Sequence, residues 1–299
     1  MNVIGKYQNG NYTVTLLSDG TKIRETDDDK FIPETIESMD IKITNCCEMA
    51  CPFCHENSTP DGKHGDILNI PFLDSLLPYT ELAIGGGNPV SHPDIFPFLV
   101  ELQKRKLIAN MTVNQYHFLK YKDDLKKLCD NKLIYGLGIS LTDPNDEFIE
   151  AIKEFPNAVI HVINGVHPIG QLERLKDLNL KILILGYKEF RRGKTLYEDF
   201  ASRVSIEGNK DLLYGYLPEI IAYNWFDVVS FDNLAIKQLN VKRLLSEEKW
   251  NEFFMGGDGM YSMYVDMVNR EFAKSSTSTE RWPITNDIKE MFEKVKENN

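Results

Sequence analysis

From residue 39 onward the hydrophobic positions of this chain fall into a repeating two-part rhythm. A short aliphatic or β-branched run is followed, after a brief polar connection, by a stretch with apolar residues at helical spacing. The pairs begin "MDIKIT" then "ILNIPFLDSLLPY", "ELAIGGG" then "PDIFPFLVELQKRK", and "LIANMTVN" then "HFLKYKDDLKKLC". They continue "LIYGLGIS" then "NDEFIEAIKEF", "AVIHVING" then "GQLERLKDLN", and "KILILGY" then "TLYEDFASRV". Six βα units in succession predict a parallel sheet flanked by helices, either an open doubly wound sheet or a barrel, complete or partial. In both, chemistry sits where strands end and loops begin.

The two ends of the chain break the rhythm. Residues 1–35 contain "NYTVTLLSDGTKIRE", two β-prone runs around Ser18-Asp19-Gly20, which predicts a hairpin with an Asp-Gly turn. Residues 211–235 are apolar enough for further sheet elements, and "NVKRLLSEEKWNEFFM" reads as one amphipathic helix. The alternation in "YSMYVDMV" predicts a strand with a hairpin turn at Asn269-Arg270, and "NDIKEMFEKVKENN" a closing helix. The segment after Ala235 is expected to act as a lid whose removal leaves the main fold standing.

Composition narrows the chemistry. With 299 residues, 42% hydrophobic and 26% charged, the chain can bury a large core. A net charge of −11 gives no global attraction to a phosphate backbone or an anionic membrane, so nucleic acid is a disfavoured partner. No run approaches the roughly 20 apolar residues of a membrane span, and the start "MNVIGKYQNGNYTV" is too polar for a signal peptide. A cytoplasmic location is expected, and there clustered cysteines are metal ligands or catalytic groups rather than disulfides.

Four of the five cysteines lie within nine positions, directly after the strand "MDIKIT". Cys47, Cys51 and Cys54 form CxxxCxxC, a spacing that lets three thiolates converge on one face of a tight loop without a local fourth donor. Three thiolates suit three irons of a [4Fe–4S] cluster and leave the fourth iron open to a ligand. A zinc site completed by His55 or Cys46 is the alternative that spacing leaves open. Cys46 reads either as a small residue packed under the loop or as a replacement ligand for Cys47, and Cys129 as a small buried hydrophobe.

CxxxCxxC with an aromatic, Phe53, before its last cysteine, directly after the first strand of a βα repeat, resembles the radical S-adenosylmethionine (radical SAM) superfamily. "LAIGGGNPVSHPDIFPFL" after the second strand is similar to that superfamily's glycine-rich segment, which holds the methionyl amino group of SAM. The resemblance spans about residues 38–190. It implies a partial parallel (β/α)6 barrel over residues 36–235, an N-terminal hairpin over 1–35 and a C-terminal cap over 236–299 with no cysteine for an auxiliary cluster. It implies a [4Fe–4S] cluster on Cys47, Cys51 and Cys54, with Phe53 against the adenine and Gly86, Gly87, Asn88 and Pro89 as the SAM-binding segment. Asn88 stands where the family commonly has Glu, so any hydrogen bond to the ammonium lacks charge assistance. Asn114, Ser140, Gly186 and Tyr187, at the ends of later strands, are the remaining SAM contacts the resemblance suggests.

The activity so implied is reductive cleavage of SAM to a 5′-deoxyadenosyl radical, which abstracts hydrogen from a small-molecule, nucleotide or peptide substrate. An external donor such as flavodoxin or ferredoxin supplies the electron. The contrasting readings are a non-enzymatic zinc or iron–sulfur module and a radical SAM enzyme that modifies nucleic acid. Several residues also carry plainer readings: Gly85 to Gly87 as a strand-to-helix turn, His92 as a helix-start residue before Pro93, Asn114 and Ser140 as partners for loop backbone. Arg191, Arg192 and Lys194 read either as a carboxylate or phosphate site or as a solvated loop.

Overall fold

Residues 2–297 of the chain are described by a computed structural model; Met1 and the last two residues of the expected closing helix, Asn298 and Asn299, lie outside them. The N-terminal region holds three strands rather than two. β1 (Val3–Asn9), β2 (Tyr12–Leu17) and β3 (Lys22–Glu25) pair antiparallel in that order. The expected Asp-Gly turn joins β2 to β3, with Gly20 at φ +91 and Thr21 N–H donating to Asp19 Oδ1 at 3.1 Å. The extra strand, β1, has too few apolar residues to stand out by alternation. Gly10, at φ +60, turns it into β2.

The six expected strands form in chain order and pair side by side, all parallel. They are β4 (Ser38–Thr44), β5 (Glu81–Gly86), β6 (Ile108–Asn114), β7 (Gly136–Ser140), β8 (Ala158–Ile163) and β9 (Lys181–Leu185). The pleat sorts their side chains. On β4, Met39, Ile41 and Ile43 are buried in the main core, while Asp40 and Lys42 project to the other face and line a cavity.

A seventh parallel strand, β10 (Val228–Phe231), extends the sheet beyond β9. At the opposite edge, β11 (Ser262–Asp266) pairs parallel with β4, and β12 (Glu271–Ala273) and β13 (Trp282–Pro283) follow antiparallel. The result is a ten-stranded α/β sheet, largely parallel and not closed into a barrel. The C-terminal segment is therefore not a detached lid: β11 is hydrogen-bonded to the strand that leads into the cysteines. The turn near Asn269-Arg270 and the closing helix, Ile288–Glu297, are where the pattern placed them.

Three local expectations fail for identifiable reasons. "ILNIPFLDSLLPY" forms only a short 3-10 turn, Leu73–Ser75, because Asp66 Oδ1 captures the N–H groups of Leu68 and Asn69 and prolines at 71 and 78 bracket the rest. "GYLPEIIA" continues the long helix Phe200–Ala222, which Asp199 caps and which absorbs Pro218. "NVKRLLSEEKWNEFFM" is split, since Ser246 caps a new helix, Glu247–Phe253, after the 3-10 turn Val241–Leu244. Among the described residues no helix is long and apolar enough to cross a membrane.

Candidate active site at the cysteine loop

The loop after β4 is held by its own backbone. Asn45 N–H donates to Lys63 O, Cys47 N–H to Thr59 O and Thr59 N–H to Asn45 O, all within 3.0 Å, and Thr44 Oγ1 accepts from Cys46 N–H at 2.9 Å. Ala50, at φ +47, makes the turn between Cys47 and Cys51. Cys47, Cys51 and Cys54 all line one cavity of about 710 Å³ that runs along the inner face of the parallel sheet, from the cysteine loop at the C-terminal strand ends to Glu81, Ile108, Gly136 and Lys181 at the strand starts. Cys46 is not among its lining residues; its thiol donates to Pro60 O at 3.3 Å. Cys129 lies on the distant helix Lys122–Asp130, where burial pushes its thiol up to about 11. Burial also raises the Cys47 and Cys51 thiols, against which Arg192 beside Cys51 pulls the other way. A metal would displace these protons on binding.

The glycine segment forms the facing wall. A Cβ on Gly86 (φ +112) would meet Thr44 O at 2.4 Å, and one on Gly87 would meet Cys46 O at 2.3 Å. Both positions let the segment dock on the cysteine loop, where Gly87 N–H donates to Thr44 O and Asn88 N–H to Cys46 O, each at 2.7 Å. Gly85 has nothing within 4 Å of its Cβ position and opens directly onto the cavity.

The other candidates divide. Phe53, Asn114, Ser140 and Gly186 line the cavity, whereas Asn88, Pro89 and Tyr187 are not among its lining residues. Asn114 Oδ1 also caps the helix Gln115–Lys120 through Tyr116 N–H at 2.9 Å. Tyr187 is buried with its hydroxyl donating to Gly193 O at 2.7 Å. His92 is a buried bridge, its Nε2 2.8 Å from Gly65 O.

Several residues at the site left no mark in the sequence. His161 on β8 lies in the cavity over Gly138, whose missing Cβ makes room for the imidazole, and burial pushes it down to about 4. Asp40 opens onto the cavity, yet surrounding protein raises its pKa by removing it from solvent; Lys188 opposes that, while Asp258, Glu56 and Asp232 add to it. Lys188 lies 3.0 Å from Ser276 Oγ and 3.3 Å from His55 Nε2. A second polar group joins Lys42 to Asp266 at 2.9 Å and to Glu56 at 3.0 Å, and Tyr264 donates its hydroxyl to Glu56 at 3.0 Å. A lone Lys or Glu in a strand or loop gives no hint of such convergence, because Asp266 and Tyr264, which complete the group, lie more than 200 positions from Lys42 and Glu56.

Arg191 and Arg192 turn inward to the cysteine loop, donating to Glu56 O and Ser58 O, each at 2.9 Å. Lys194 stays exposed, 3.9 Å from Glu198.

Three thiols from one loop on one cavity are a donor set that would fit three irons of a [4Fe–4S] cluster. Tetrahedral zinc with sulfur ligands near 2.3 Å draws its sulfurs within about 4 Å of one another. Cys47, Cys51 and Cys54 do not gather within 4.8 Å, and among the described residues the group that does is Cys47, Glu48 and His117. His55 turns instead to Lys188 and Glu56. A cubane puts each thiolate on a different iron and so keeps its ligands apart. Arg192, which lines the cavity, has its Nε buried with no hydrogen-bond partner among the described residues, which fits a site completed by a polar ligand.

Comparison with solved structures gives the same architecture. SuiB of Streptococcus suis bound to S-adenosylmethionine superposes with a TM-score of 0.57 at 14% identity, covering 88% of this chain and 64% of SuiB. SuiB bound to its precursor peptide SuiA gives 0.56 at 15% identity, with the same coverage. The chain shares the fold of SuiB. It spans about two thirds of the length of SuiB, at 64%. At the level of sequence, no protein-family model and no curated protein matches the chain.

Within this fold, the three thiols occupy the loop after the first strand of the six-strand parallel series and the glycine segment the end of the second.

Proposed function

We propose that this chain is a radical SAM enzyme. Cys47, Cys51 and Cys54 would hold a [4Fe–4S] cluster, and SAM would occupy the cavity between the cysteine loop and Gly85. The observation that carries this reading is the convergence of the three CxxxCxxC thiols on one 710 Å³ cavity that the glycine segment also walls. When bound, the cluster would pass one electron from an external donor such as flavodoxin or ferredoxin to SAM, and the radical released would take hydrogen from a substrate.

The chain's own residues provide the setting. Phe53 offers a ring and a backbone at the cavity wall, and Asn114 and Ser140 offer polar groups at strand ends. His161, held neutral near pH 7 by burial, offers a hydrogen bond without a charge. Lys188 and Asp40 are among several ionisable side chains of both signs that line the cavity. Such fixed dipoles and a walled cavity keep reacting atoms in place and water out.

The substrate is proposed to be a peptide or a small molecule. SuiB binds a precursor peptide, and the net charge of −11 opposes wrapping on a phosphate backbone. Anaerobic reconstitution with iron and sulfide, followed by dithionite and SAM, tests the reading. The expected result is a brown protein that slowly releases 5′-deoxyadenosine, measured by liquid chromatography and mass spectrometry. A colourless protein that binds one zinc ion, or a brown one that leaves SAM intact, would overturn it.

A further inference from the structure

The buried charges around Glu56 sit where they can control the metal loop. Glu56 follows Cys54 by two residues and is 7% exposed. Its carboxylate faces Lys42 at 3.0 Å and Arg191 at 3.6 Å, receives the Tyr264 hydroxyl at 3.0 Å, and lies 3.5 Å from His55 Nε2. Its main-chain carbonyl accepts from Arg191 at 2.9 Å. These partners come from three parts of the fold: Lys42 from β4, Arg191 from the loop after β9, and Tyr264 from β11. Lys42 is itself fixed by Asp266, its ladder neighbour on β11. Asp266 is saturated by Val268 N–H, Asn269 N–H and the Asn269 amide. Arg191 holds a backbone geometry of φ +50 and ψ −123 that side chains rarely adopt, a strain that persists only where surroundings enforce it.

We infer that Glu56 is a positioning residue that clamps the cysteine loop to the sheet, and that through Tyr264 and the Lys42–Asp266 pair the C-terminal segment governs whether Cys47, Cys51 and Cys54 can load metal. A carboxylate buried among two cations and a phenol is fixed in one place, because any displacement leaves charges unpaired away from water. The loop that carries it is fixed with it. Backbone bonds to Thr59 and from residues 87–88 hold the Cys46–Cys47 side of the loop, but around Cys51 and Cys54 the backbone has turn hydrogen bonds, Cys54 N–H to Cys51 O at 3.1 Å and Asn57 N–H to Cys54 O at 3.3 Å, which open easily by themselves. The inference rests on the radical SAM reading only for the identity of the metal group.

The test uses the full chain and the variants Glu56→Ala, Glu56→Gln, Tyr264→Phe and Lys42→Met, with exposed Lys122→Met as control. In metal-free protein, alkylation rates of the cysteines are followed by peptide mass spectrometry, with Cys129 as internal standard and far-UV circular dichroism as the check on folding. Reconstituted protein is then analysed for iron and sulfide, and its reduced form by electron paramagnetic resonance. Glu56→Ala and Lys42→Met should speed alkylation of Cys51 and Cys54 about tenfold or more relative to Cys129 and load less iron, with an altered spectrum in the iron retained. Glu56→Gln, which keeps the shape and a hydrogen-bond acceptor, should recover part of both effects, and Tyr264→Phe should fall between it and the wild type.

If a variant fails to fold, the milder Gln and Phe changes carry the test. Folded Glu56→Ala protein with wild-type alkylation rates and full iron would overturn the clamp. Faster alkylation in a protein whose wild type takes up no iron would sustain the clamp and sink the cluster instead.

Discussion

Alanine at Gly87 should cost the protein both stability and metal, and the size of the loss follows from the docking geometry. The new Cβ would lie 2.3 Å from Cys46 O and 2.8 Å from Cys46 C, about 1 Å inside the roughly 3.3 Å at which carbon and carbonyl oxygen meet. Both atoms are backbone, so no side chain can swing aside; the cysteine loop or residues 86–88 must move. The hydrogen bonds at risk are those from Gly87 N–H to Thr44 O and from Asn88 N–H to Cys46 O, each 2.7 Å. Overpacking costs about 1–3 kcal/mol and each weakened bond about 1 kcal/mol, for a total of about 3–5 kcal/mol. With about 2.1 cal/mol/K of unfolding entropy per residue over 299 residues, the melting temperature should fall by about 5–8 °C. Gly85 is the control, since its Cβ position is empty to 4 Å and its φ is not positive. Gly85→Ala should gain about 0.4–1 kcal/mol through the unfolded chain while its methyl narrows the cavity and weakens SAM binding. Thermal unfolding of the metal-free proteins, iron analysis after reconstitution and SAM titration read the three effects. A Gly87→Ala protein with wild-type melting and full iron would refute the docking argument; a Gly85→Ala protein that binds SAM like the wild type would refute the argument from space.

Three further outcomes are expected. Cys47→Ala, Cys51→Ala and Cys54→Ala should each lose most of the iron, while Cys46→Ala and Cys129→Ala keep it, as metal and sulfide analysis will show; loading by Cys47→Ala but not Cys46→Ala would reverse the ligand choice. Asn88→Ala should lower the melting temperature more than it weakens SAM binding, because the residue is buried and does not line the cavity; a loss of SAM affinity in calorimetry with unchanged melting would return Asn88 to the site. His161 should make folding acid-sensitive. The unfolded side chain takes a proton near pH 6.5, and the folded one only near pH 4, so its contribution is full above about pH 6.5 and lost as the pH falls to about 4. That difference is worth up to about 3 kcal/mol, and urea unfolding of His161→Gln should lose correspondingly less stability than the wild type between those two values. Equal losses would mean that His161 does not titrate as its burial implies.

The same geometry changes the expectation for the C-terminal segment. Read as a lid, residues 236–299 should be removable without loss of the metal site. In the fold, β11 pairs with β4, Phe272, Met291, Phe292 and Val295 belong to the main core, and Tyr264 and Asp266 hold the residues around Cys54. Truncation after Ala235 should therefore remove iron binding along with turnover.

What the sequence by itself determined is what depends on near neighbours along the chain. Strand and helix periods are local, so the six parallel strands and their order were legible, as was the closing helix. The CxxxCxxC spacing is local too, and it marked Cys47, Cys51 and Cys54 as belonging to one loop. Where local signals competed, the reading failed: Asp66 and two prolines stopped the helix expected after β4, and Ser246 divided another. Tertiary structure alone decided which polar residues became the site. Asp40 and Lys42 face the cavity through the pleat of β4, His161 enters through the gap left by Gly138, and Glu56 meets Tyr264 across 208 positions. A buried charge is tolerated only where its partners converge, and that convergence is a property of how strands from opposite ends of the chain are laid side by side, which no local period records.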